Sequence, residues 1–205
     1  MNFKIMANEM ERKAKIERKT AETDISLTLT LESIQKSQIR SGVPFFDHML
    51  SSMTRHGRMS MLLACEGDIQ VDDHHSVEDT GICMGKAFRK AIGDRKGISR
   101  FGEAVVPMDE ALSMCAVDLS GRGFFQYTGI DLQGYIHTYS EELTLEFMRS
   151  FAMNAELTLH IRLLEGSNRH HIHESMYKSL GIALYRAYSI DSVGREEIPS
   201  TKGVL

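Results

Sequence analysis

The alternation of apolar and polar residues predicts strands in both halves of the chain. Apolar residues occupy every second position over residues 25–31 and again over residues 157–163, which is typical of strands with one buried face. Further strands are predicted over residues 59–66, 105–119 and 124–130, the last two on either side of a turn at residues 120–123.

Apolar residues at helical spacing predict four helices between these strands. The first helix runs towards His56, and the second covers residues 74–91. The third is marked by Leu143, Phe147 and Phe151. The fourth has an apolar stripe formed by Met176, Leu180, Ala183, Leu184 and Ala187.

One short motif occurs twice. His74-His75-Ser76-Val77-Glu78 recurs 96 residues later as His170-His171-Ile172-His173-Glu174. The helices that carry the two copies align without gaps, and Gly85 corresponds to Gly181. A period near 100 residues indicates a fused duplication and not a solenoid. The expected fold class is therefore α+β, with helices packed between two sheets.

The repeated motif has the chemistry of a metal site. His74 and Glu78 are four residues apart and share one helix face, while His75 points about 100° away. The second copy has the same geometry, so each helix offers ligands in two directions. This arrangement suits two metal ions, or one site shared across a subunit interface. Imidazole and carboxylate ligands without thiolate favour Mn²⁺, Fe²⁺, Co²⁺ or Zn²⁺.

Two further residues extend each half of this pattern. His48 precedes His74 by 26 residues, and Glu146 precedes His170 by 24, so each half supplies a ligand from an earlier helix. Asp79, directly after Glu78, is a candidate to support a ligand from behind. The alternative reading is that the histidines are surface residues at helix starts, since Asp72, Asp73 and Asn168 are natural capping residues.

Composition excludes several classes of function. The net charge of -4 gives nucleic-acid binding no bulk electrostatic support, and we interpret the mixed-charge stretch at residues 11–19 as a solvated strand or helix entry. No apolar run approaches the ~20 residues of a membrane span, and no signal-peptide core follows Met1. The 3 cysteines form no CxxC pair, which is typical of free thiols in a reducing cytoplasm.

A second group of residues is suited to an anionic substrate. Its members combine a cation or hydroxyl with nearby Gly or Ser: Arg100, Arg122, Lys178, Ser200 and Lys202. Lys178 is the strongest candidate, because it follows Glu174 by one helical turn on the same face. A metal ligand and a phosphate ligand at this spacing would span a small phosphorylated molecule.

Several ordered motifs resemble the imidazoleglycerol-phosphate dehydratase family. The resemblance runs from about Arg18 to Leu205 and rests on Phe45-Phe46-Asp47-His48-Met49-Leu50, Asp72-Asp73-His74-His75-Ser76-Val77-Glu78-Asp79, Pro107-Met108-Asp109-Glu110-Ala111-Leu112, Asp118-Leu119-Ser120-Gly121-Arg122, Thr158-Leu159-His160-Ile161, His170-His171 through Lys178, and Pro199-Ser200-Thr201-Lys202-Gly203. It implies a cytoplasmic hydro-lyase of histidine biosynthesis with two Mn²⁺ per site. It also implies a 24-subunit particle with sites at subunit interfaces, and neither a nucleic-acid nor a membrane partner.

The resemblance also implies roles for individual residues. The implied metal ligands are His48, His74, His75, Glu78, Glu146, His170, His171 and Glu174. The implied phosphate and substrate contacts are Glu22, Arg100, Arg122, Lys178, Ser200 and Lys202. The expected catalytic residues are Glu174, Glu22 and His48: the reaction chemistry needs a base, for which Glu174 is the candidate and a metal-bound water the competitor, and the resemblance has Glu22 reaching a neighbour's site. Glu146 departs from the pattern, since many members have histidine there.

The implied fold is a duplicated half-domain of the ribosomal protein S5 domain 2 type, with helices between two mostly antiparallel four-stranded sheets. We expect an N-terminal extension over residues 1–17 and a single domain over 18–205. Its repeats would cover about 18–97 and 98–195, and residues 196–205 would form a phosphate-binding tail. A dinuclear metallohydrolase, a metal-storage or metal-sensing shell, and an inactive relative of the dehydratase are the competing functions.

Overall fold

The computed structural model describes residues 12–191 and 197–203. The first half consists of β1 (Lys13–Lys19), β2 (Thr23–Thr30), β3 (Gln38–Arg40), α1 (Pro44–His56), β4 (Ser60–Gly67) and α2 (His74–Ile92). The second half consists of β5 (Phe101–Met108), β6 (Ala111–Asp118), β7 (Phe124–Thr128), a small hairpin of β8 (Tyr135–Ile136) and β9 (Tyr139–Ser140), α3 (Leu143–Ala155), β10 (Thr158–Glu165) and α4 (Arg169–Tyr188).

The two halves have the same topology, which confirms the predicted duplication. The first sheet has the order β1-β2-β4-β3, and the second has the order β5-β6-β10-β7. In the first sheet β2 runs antiparallel to both β1 and β4, and in the second sheet β6 runs antiparallel to both β5 and β10. The edge strand β3 runs parallel to β4, and the edge strand β7 runs parallel to β10. The predicted α+β class with two mostly antiparallel four-stranded sheets is therefore correct.

The helices lie between the sheets and pair across the two halves. Helix α2 packs against strands of the first sheet, and α4 packs against β5 and β6 of the second. Helix α1 contacts α4, while α3 contacts α2, so the earlier helix of each half lies against the later helix of the other. Fully buried aromatic rings fill the space between them: Phe46 meets Phe147 at 5.2 Å between ring centroids, and Phe88 meets Phe151 at 5.6 Å.

Two corresponding glycines permit these close helix crossings. A Cβ atom at Gly85 would lie 2.6 Å from the carbonyl oxygen of Phe151 on α3. A Cβ atom at Gly181 would lie 2.4 Å from the carbonyl oxygen of Met53 on α1. Any side chain at either position would push the paired helices apart. Gly85 and Gly181, which align in the sequence repeat, therefore both allow close approach of two helix backbones.

The helices that carry the repeated motif begin as their sequences predict. The Asn168 side chain accepts hydrogen bonds from the backbone N–H groups of His170 (2.9 Å) and His171 (3.4 Å). The Asp72 carboxylate accepts one from the N–H of His74 at 2.8 Å. These side chains therefore satisfy one free N–H group in the first turn of α2 and two in the first turn of α4. The histidine side chains are thereby left available for other contacts.

Two predicted strands differ from the structure. The region predicted as strand over residues 105–119 is two strands, because a turn at Asp109 and Glu110 returns the chain as β6 beside β5. The strand predicted over residues 124–130 ends at Thr128, and this strand, β7, runs parallel to β10. Strand β1 begins at Lys13, inside the stretch 1–17 that the sequence assigns to an N-terminal extension, and it pairs with β2. No helix in the described ranges is long and apolar enough to cross a bilayer.

A buried carboxylate joins the β1–β2 hairpin to α2. Asp79 pairs with the Arg18 guanidinium and accepts a hydrogen bond from the Thr23 hydroxyl at 2.5 Å. The Asp79 side chain is 7% exposed. The sequence suggested that Asp79 supports a metal ligand, but its side chain contacts Arg18 and Thr23 of this hairpin instead. Asp79 instead fixes the turn that carries Glu22.

Replacement of Asp79 with alanine is expected to lower the free energy of unfolding by about 2–4 kcal/mol, because Arg18 and Thr23 would lose their partner in a largely buried place. Urea denaturation measures this difference. Asp24→Ala is the matched control, since Asp24 pairs with Lys19 on the exposed surface and its loss should change stability far less. Equal effects of the two substitutions would contradict the anchoring role of Asp79.

Candidate functional site

Three predicted ligands from opposite halves of the chain meet in one cluster. His48 lies on α1, while His170 and Glu174 lie one turn apart on α4. The Glu174 carboxylate is 3.2 Å from Nε2 of His170 and 3.7 Å from Nε2 of His48. One ligand atom from each residue lies within 4.8 Å of the others. The contact between α1 and α4 that Gly181 permits is what brings His48 to this place.

Lys178 joins the cluster one turn further along α4. Its ammonium group donates to the Glu174 carboxylate at 2.9 Å and lies 3.3 Å from the sulfur of Met108. Burial raises the pKa of Glu174, but the hydrogen bond and charge of Lys178, the charge of His48 and the hydrogen bond from His170 outweigh it and lower the pKa overall. Glu174 is therefore an ionised hydrogen-bond acceptor near neutral pH.

The first repeat places its ligands in a similar way but more openly. Nε2 of His74 is 3.6 Å from the Glu78 carboxylate, one turn along α2. His74 also borders a cavity of about 260 Å³ that is lined by Asp72, Asp73 and residues near the β8–β9 hairpin. Glu146 lies on α3, the helix that packs on α2, and its carboxylate accepts from Arg149 at 2.7 Å. Its predicted role as a ligand stays a prediction.

The second histidine of each pair faces away from the first and contacts different carboxylates. Nδ1 of His75 is 3.0 Å from Asp68, and its Nε2 is 3.7 Å from Glu22. Nδ1 of His171 is 2.7 Å from Glu110, and its Nε2 is 3.9 Å from Asp109. Each helix thus presents imidazoles in two directions, as the 3.6-residue period predicts.

These contacts shift the proton affinities of the groups involved. The hydrogen bond to Asp68 raises the pKa of His75, and the hydrogen bond to Glu110 raises the pKa of His171. In return, the His171 hydrogen bond and the backbone N–H of Asn168 lower the pKa of Glu110 to about 2. Sequence reasoning missed Asp68 and Glu110 as functional candidates. Their positions in turns next to the helix starts were the available signal.

The predicted phosphate ligands are only partly brought together. Arg100 donates to Asp118 at 2.8 Å and to the carbonyl of Pro199 at 2.9 Å, so it ties the start of the tail to the second sheet. Ser200 accepts from the N–H of Lys202 within that tail. The guanidinium of Arg122 donates to the carbonyl of Ser120. Lys178 is the phosphate candidate that lies directly against the cluster of His48, His170 and Glu174.

The donor set of this cluster fits a divalent first-row metal. Two imidazole nitrogens and a carboxylate oxygen are ligands of borderline and hard character, which such ions accept together. The Asn168 side chain caps α4, and the Asp72 carboxylate accepts from the N–H of His74 at the start of α2, so the histidine side chains are not needed to cap either helix. The alternative reading of the histidines as simple surface residues does not explain their convergence on Glu174.

Comparison with known proteins identifies a family. A model of the imidazoleglycerol-phosphate dehydratase family matches residues 41–184. An imidazoleglycerol-phosphate dehydratase of Leptospira biflexa is 50% identical over 188 residues, which cover 92% of this chain and 95% of the relative. One of Moorella thermoacetica is 50% identical over 198 residues, covering 96% of this chain and 100% of the relative.

Solved structures give the same result for the fold. The crystal structure of the Staphylococcus aureus enzyme of that name superposes with a TM-score of 0.79 at 33% identity and covers 87% of this chain and 99% of that one. The crystal structure of the Pyrococcus furiosus protein, in complex with (S)-C348, also has a TM-score of 0.79 at 33% identity and covers 93% of this chain and 100% of that one.

Proposed function

The chain belongs to the imidazoleglycerol-phosphate dehydratase family, and on this premise we propose which of its residues perform the reaction. The protein is a hydro-lyase of histidine biosynthesis that acts on imidazoleglycerol phosphate. One observation carries the assignment of the site: His48, His170 and Glu174 converge, and Lys178 lies 2.9 Å from Glu174. Groups suited to an imidazole ring and groups suited to a phosphate are thereby adjacent.

The chemistry of the substrate defines what the site must supply. The reaction removes a hydroxyl group from the carbon next to the imidazole ring and a proton from the following carbon. That proton is not acidic in the substrate, because no carbonyl group neighbours it. The ring must therefore help to expel the hydroxyl group. Two Mn²⁺ ions per site would supply electrostatic stabilisation of the electron-rich ring and a fixed orientation for it.

The residues proposed to hold these ions are those of the two repeated motifs and the two earlier helices: His48, His74, His75, Glu78, Glu146, His170, His171 and Glu174. In the described structure they do not form a single cluster, because His75 and His171 face away from His74 and His170. Ligands directed outward in this way are completed most simply by a second copy of the chain. We therefore propose that the sites lie at subunit interfaces of a homo-oligomer of 24 subunits in the cytoplasm.

The remaining roles follow from charge and position. Glu174 is the proposed base, since its ionised carboxylate can take the proton from the substrate carbon. His48, on α1, would act at the reacting centre as a metal ligand beside Glu174 of α4. Glu22, at the β1–β2 turn and 3.7 Å from His75 of its own chain, would orient the substrate hydroxyl groups. Lys178, Arg100, Arg122, Ser200 and Lys202 would hold the phosphate.

The direct test is turnover of imidazoleglycerol phosphate by the metal-free protein before and after Mn²⁺ is added, followed as enol absorbance of the product at alkaline pH. We expect turnover that depends on Mn²⁺. Turnover that a chelator leaves unchanged would refute the metal assignment, while no turnover under any metal condition would indicate an inactive relative. Hydrolysis of phosphate esters without enol formation would indicate a metallohydrolase.

Replacement of Lys178 with alanine is expected to raise KM about 10-fold or more with a smaller change in kcat, because a charge-assisted hydrogen bond to the substrate phosphate would be lost. Steady-state kinetics over a wide substrate range separates the two constants. Lys90→Ala removes an exposed cation from the last turn of α2 and serves as the control. An unchanged KM with a large loss of kcat would contradict the phosphate role of Lys178.

A further inference from the structure

The outward-facing histidine of each pair is contacted at Nδ1 by a carboxylate. Asp68 holds Nδ1 of His75 with both oxygens, at 3.0 and 3.1 Å. Glu110 holds Nδ1 of His171 at 2.7 Å. An ionised carboxylate can only accept a hydrogen bond, so Nδ1 must carry the hydrogen in both rings. In a neutral imidazole with that tautomer, Nε2 keeps its lone pair and is the nitrogen free to bind a metal.

We propose that Asp68 and Glu110 are positioning residues that fix Nε2 as the metal-binding nitrogen of His75 and His171. This inference rests on the proposed metal role of the two histidines. Carboxylates that accept from the second ring nitrogen orient a ligating histidine and increase its basicity. Asp68 and Glu110 would therefore set the ring orientation before a metal arrives, without touching the metal or the substrate.

The two contacts arise from different places in the duplicated fold. Asp68 directly follows β4, whereas the residue that follows the equivalent strand β10 is Gly166. Glu110 instead lies in the turn between β5 and β6. Simple copying of one half into the other would place both carboxylates at corresponding positions. Because two different loops place a carboxylate against Nδ1, we infer that the two histidines need this contact for their own function.

Glu110 is fixed by more than its histidine. Its other oxygen, Oε1, accepts from the backbone N–H groups of Asn168 at 2.6 Å and Ser167 at 3.2 Å. Both donors belong to the loop that caps α4. The carboxylate therefore has one oxygen committed to the backbone and one to His171, which leaves it little freedom to rotate.

Because the two oxygens of Glu110 have different partners, Glu110→Gln is expected to weaken metal binding. The side-chain oxygen of glutamine would stay with the two backbone N–H groups, so its NH₂ group would face Nδ1 of His171. Two donors cannot share that position, and His171 would shift its hydrogen to Nε2, which masks the metal-binding nitrogen. We expect about 10–100-fold weaker Mn²⁺ binding, measured as free Mn²⁺ by electron paramagnetic resonance on the whole protein.

Several measurements separate this role from a structural one. Glu165→Gln makes the same chemical change at the exposed end of β10 and should change Mn²⁺ affinity less than about twofold. Solid-state ¹⁵N NMR of histidine-labelled, metal-free protein should show one imidazole changing from the Nδ1–H to the Nε2–H form in Glu110→Gln. The melting temperature should stay close to that of the unsubstituted protein.

The outcomes distinguish the inference from the function on which it rests. Absence of tight Mn²⁺ binding by the unsubstituted protein would refute the proposed metal site. Tight binding that Glu110→Gln leaves unchanged, with the Nδ1–H form retained, would overturn the positioning role. If Glu110→Gln does not fold, Asp68→Ala tests the role at His75, away from the cap of α4, because it removes both oxygens that lie against Nδ1; Mn²⁺ affinity unchanged by that substitution would overturn the positioning role.

Discussion

Replacement of Glu174 with glutamine is expected to lower kcat about 100-fold or more while substrate phosphate binding is largely kept. Glutamine has nearly the same shape and can still accept a hydrogen bond, but it cannot take up a proton from carbon. Glu174 is the carboxylate nearest to both His48 and His170, at 3.7 and 3.2 Å, and Lys178 keeps it ionised. Proton transfer by a positioned base contributes about 10²–10⁴-fold to catalysis, which sets the expected range.

The kinetic measurement needs a parallel measurement of bound Mn²⁺, because Glu174 is also a proposed ligand. A fall in kcat with metal occupancy retained would support the role as a base. A fall that excess Mn²⁺ fully reverses would assign Glu174 to metal binding alone. Glu165→Gln makes the same chemical change at the exposed end of β10 and should leave both kcat and KM unaltered. Near-normal turnover of the Glu174 variant would eliminate it as the base.

A second large loss is expected for His48→Ala. His48 is the proposed ligand that reaches the α4 cluster from α1, with its Nε2 3.7 Å from the Glu174 carboxylate. We expect kcat to fall about 100-fold or more, because a correctly placed metal ion contributes several kcal/mol of stabilisation to such reactions. Mn²⁺ binding should weaken in the same variant, and added Mn²⁺ should recover part of the lost activity.

His137→Asn is the control for His48→Ala. His137 is an exposed imidazole with a positive φ of 58°, a conformation that asparagine tolerates, and it is not among the proposed ligands. Its replacement should change neither Mn²⁺ binding nor turnover. If His48→Ala retained both full activity and full metal affinity, the α1–α4 cluster would not be the metal centre.

The sequence was sufficient to predict the elements that carry the chemistry, because their signals are local. Helical spacing, the cap at Asn168 and the spacing of His and Glu within each copy of the motif depend on residues within a few turns of one another. The division of each pair into two directions also follows from the helical period. The structure agrees with these predictions because contacts with distant parts of the chain do not determine them.

The features that were missed depend on contacts between distant segments. The parallel pairing of β7 with β10 and the separation of β5 from β6 at Asp109 are decided by the sheet as a whole, and periodicity within one strand does not encode them. Asp68 and Glu110 resemble ordinary turn residues until the helix starts are placed beside them. Asp79 follows a metal-ligand motif in sequence, yet the packing of β1 and β2 turns it towards Arg18.

The exchange of helices between the two halves bears on the ancestry of the protein. A half-length ancestor with one sheet and two helices could not have placed its own first helix against its own second in this manner. Two separate copies would have had to associate before an imidazole like that of His48 met a carboxylate like that of Glu174. Fusion made this encounter intramolecular, at an effective concentration on the order of millimolar or higher. After fusion, the two copies could also diverge in sequence. Lys178 in the second repeat, for example, corresponds to Ile82 in the first.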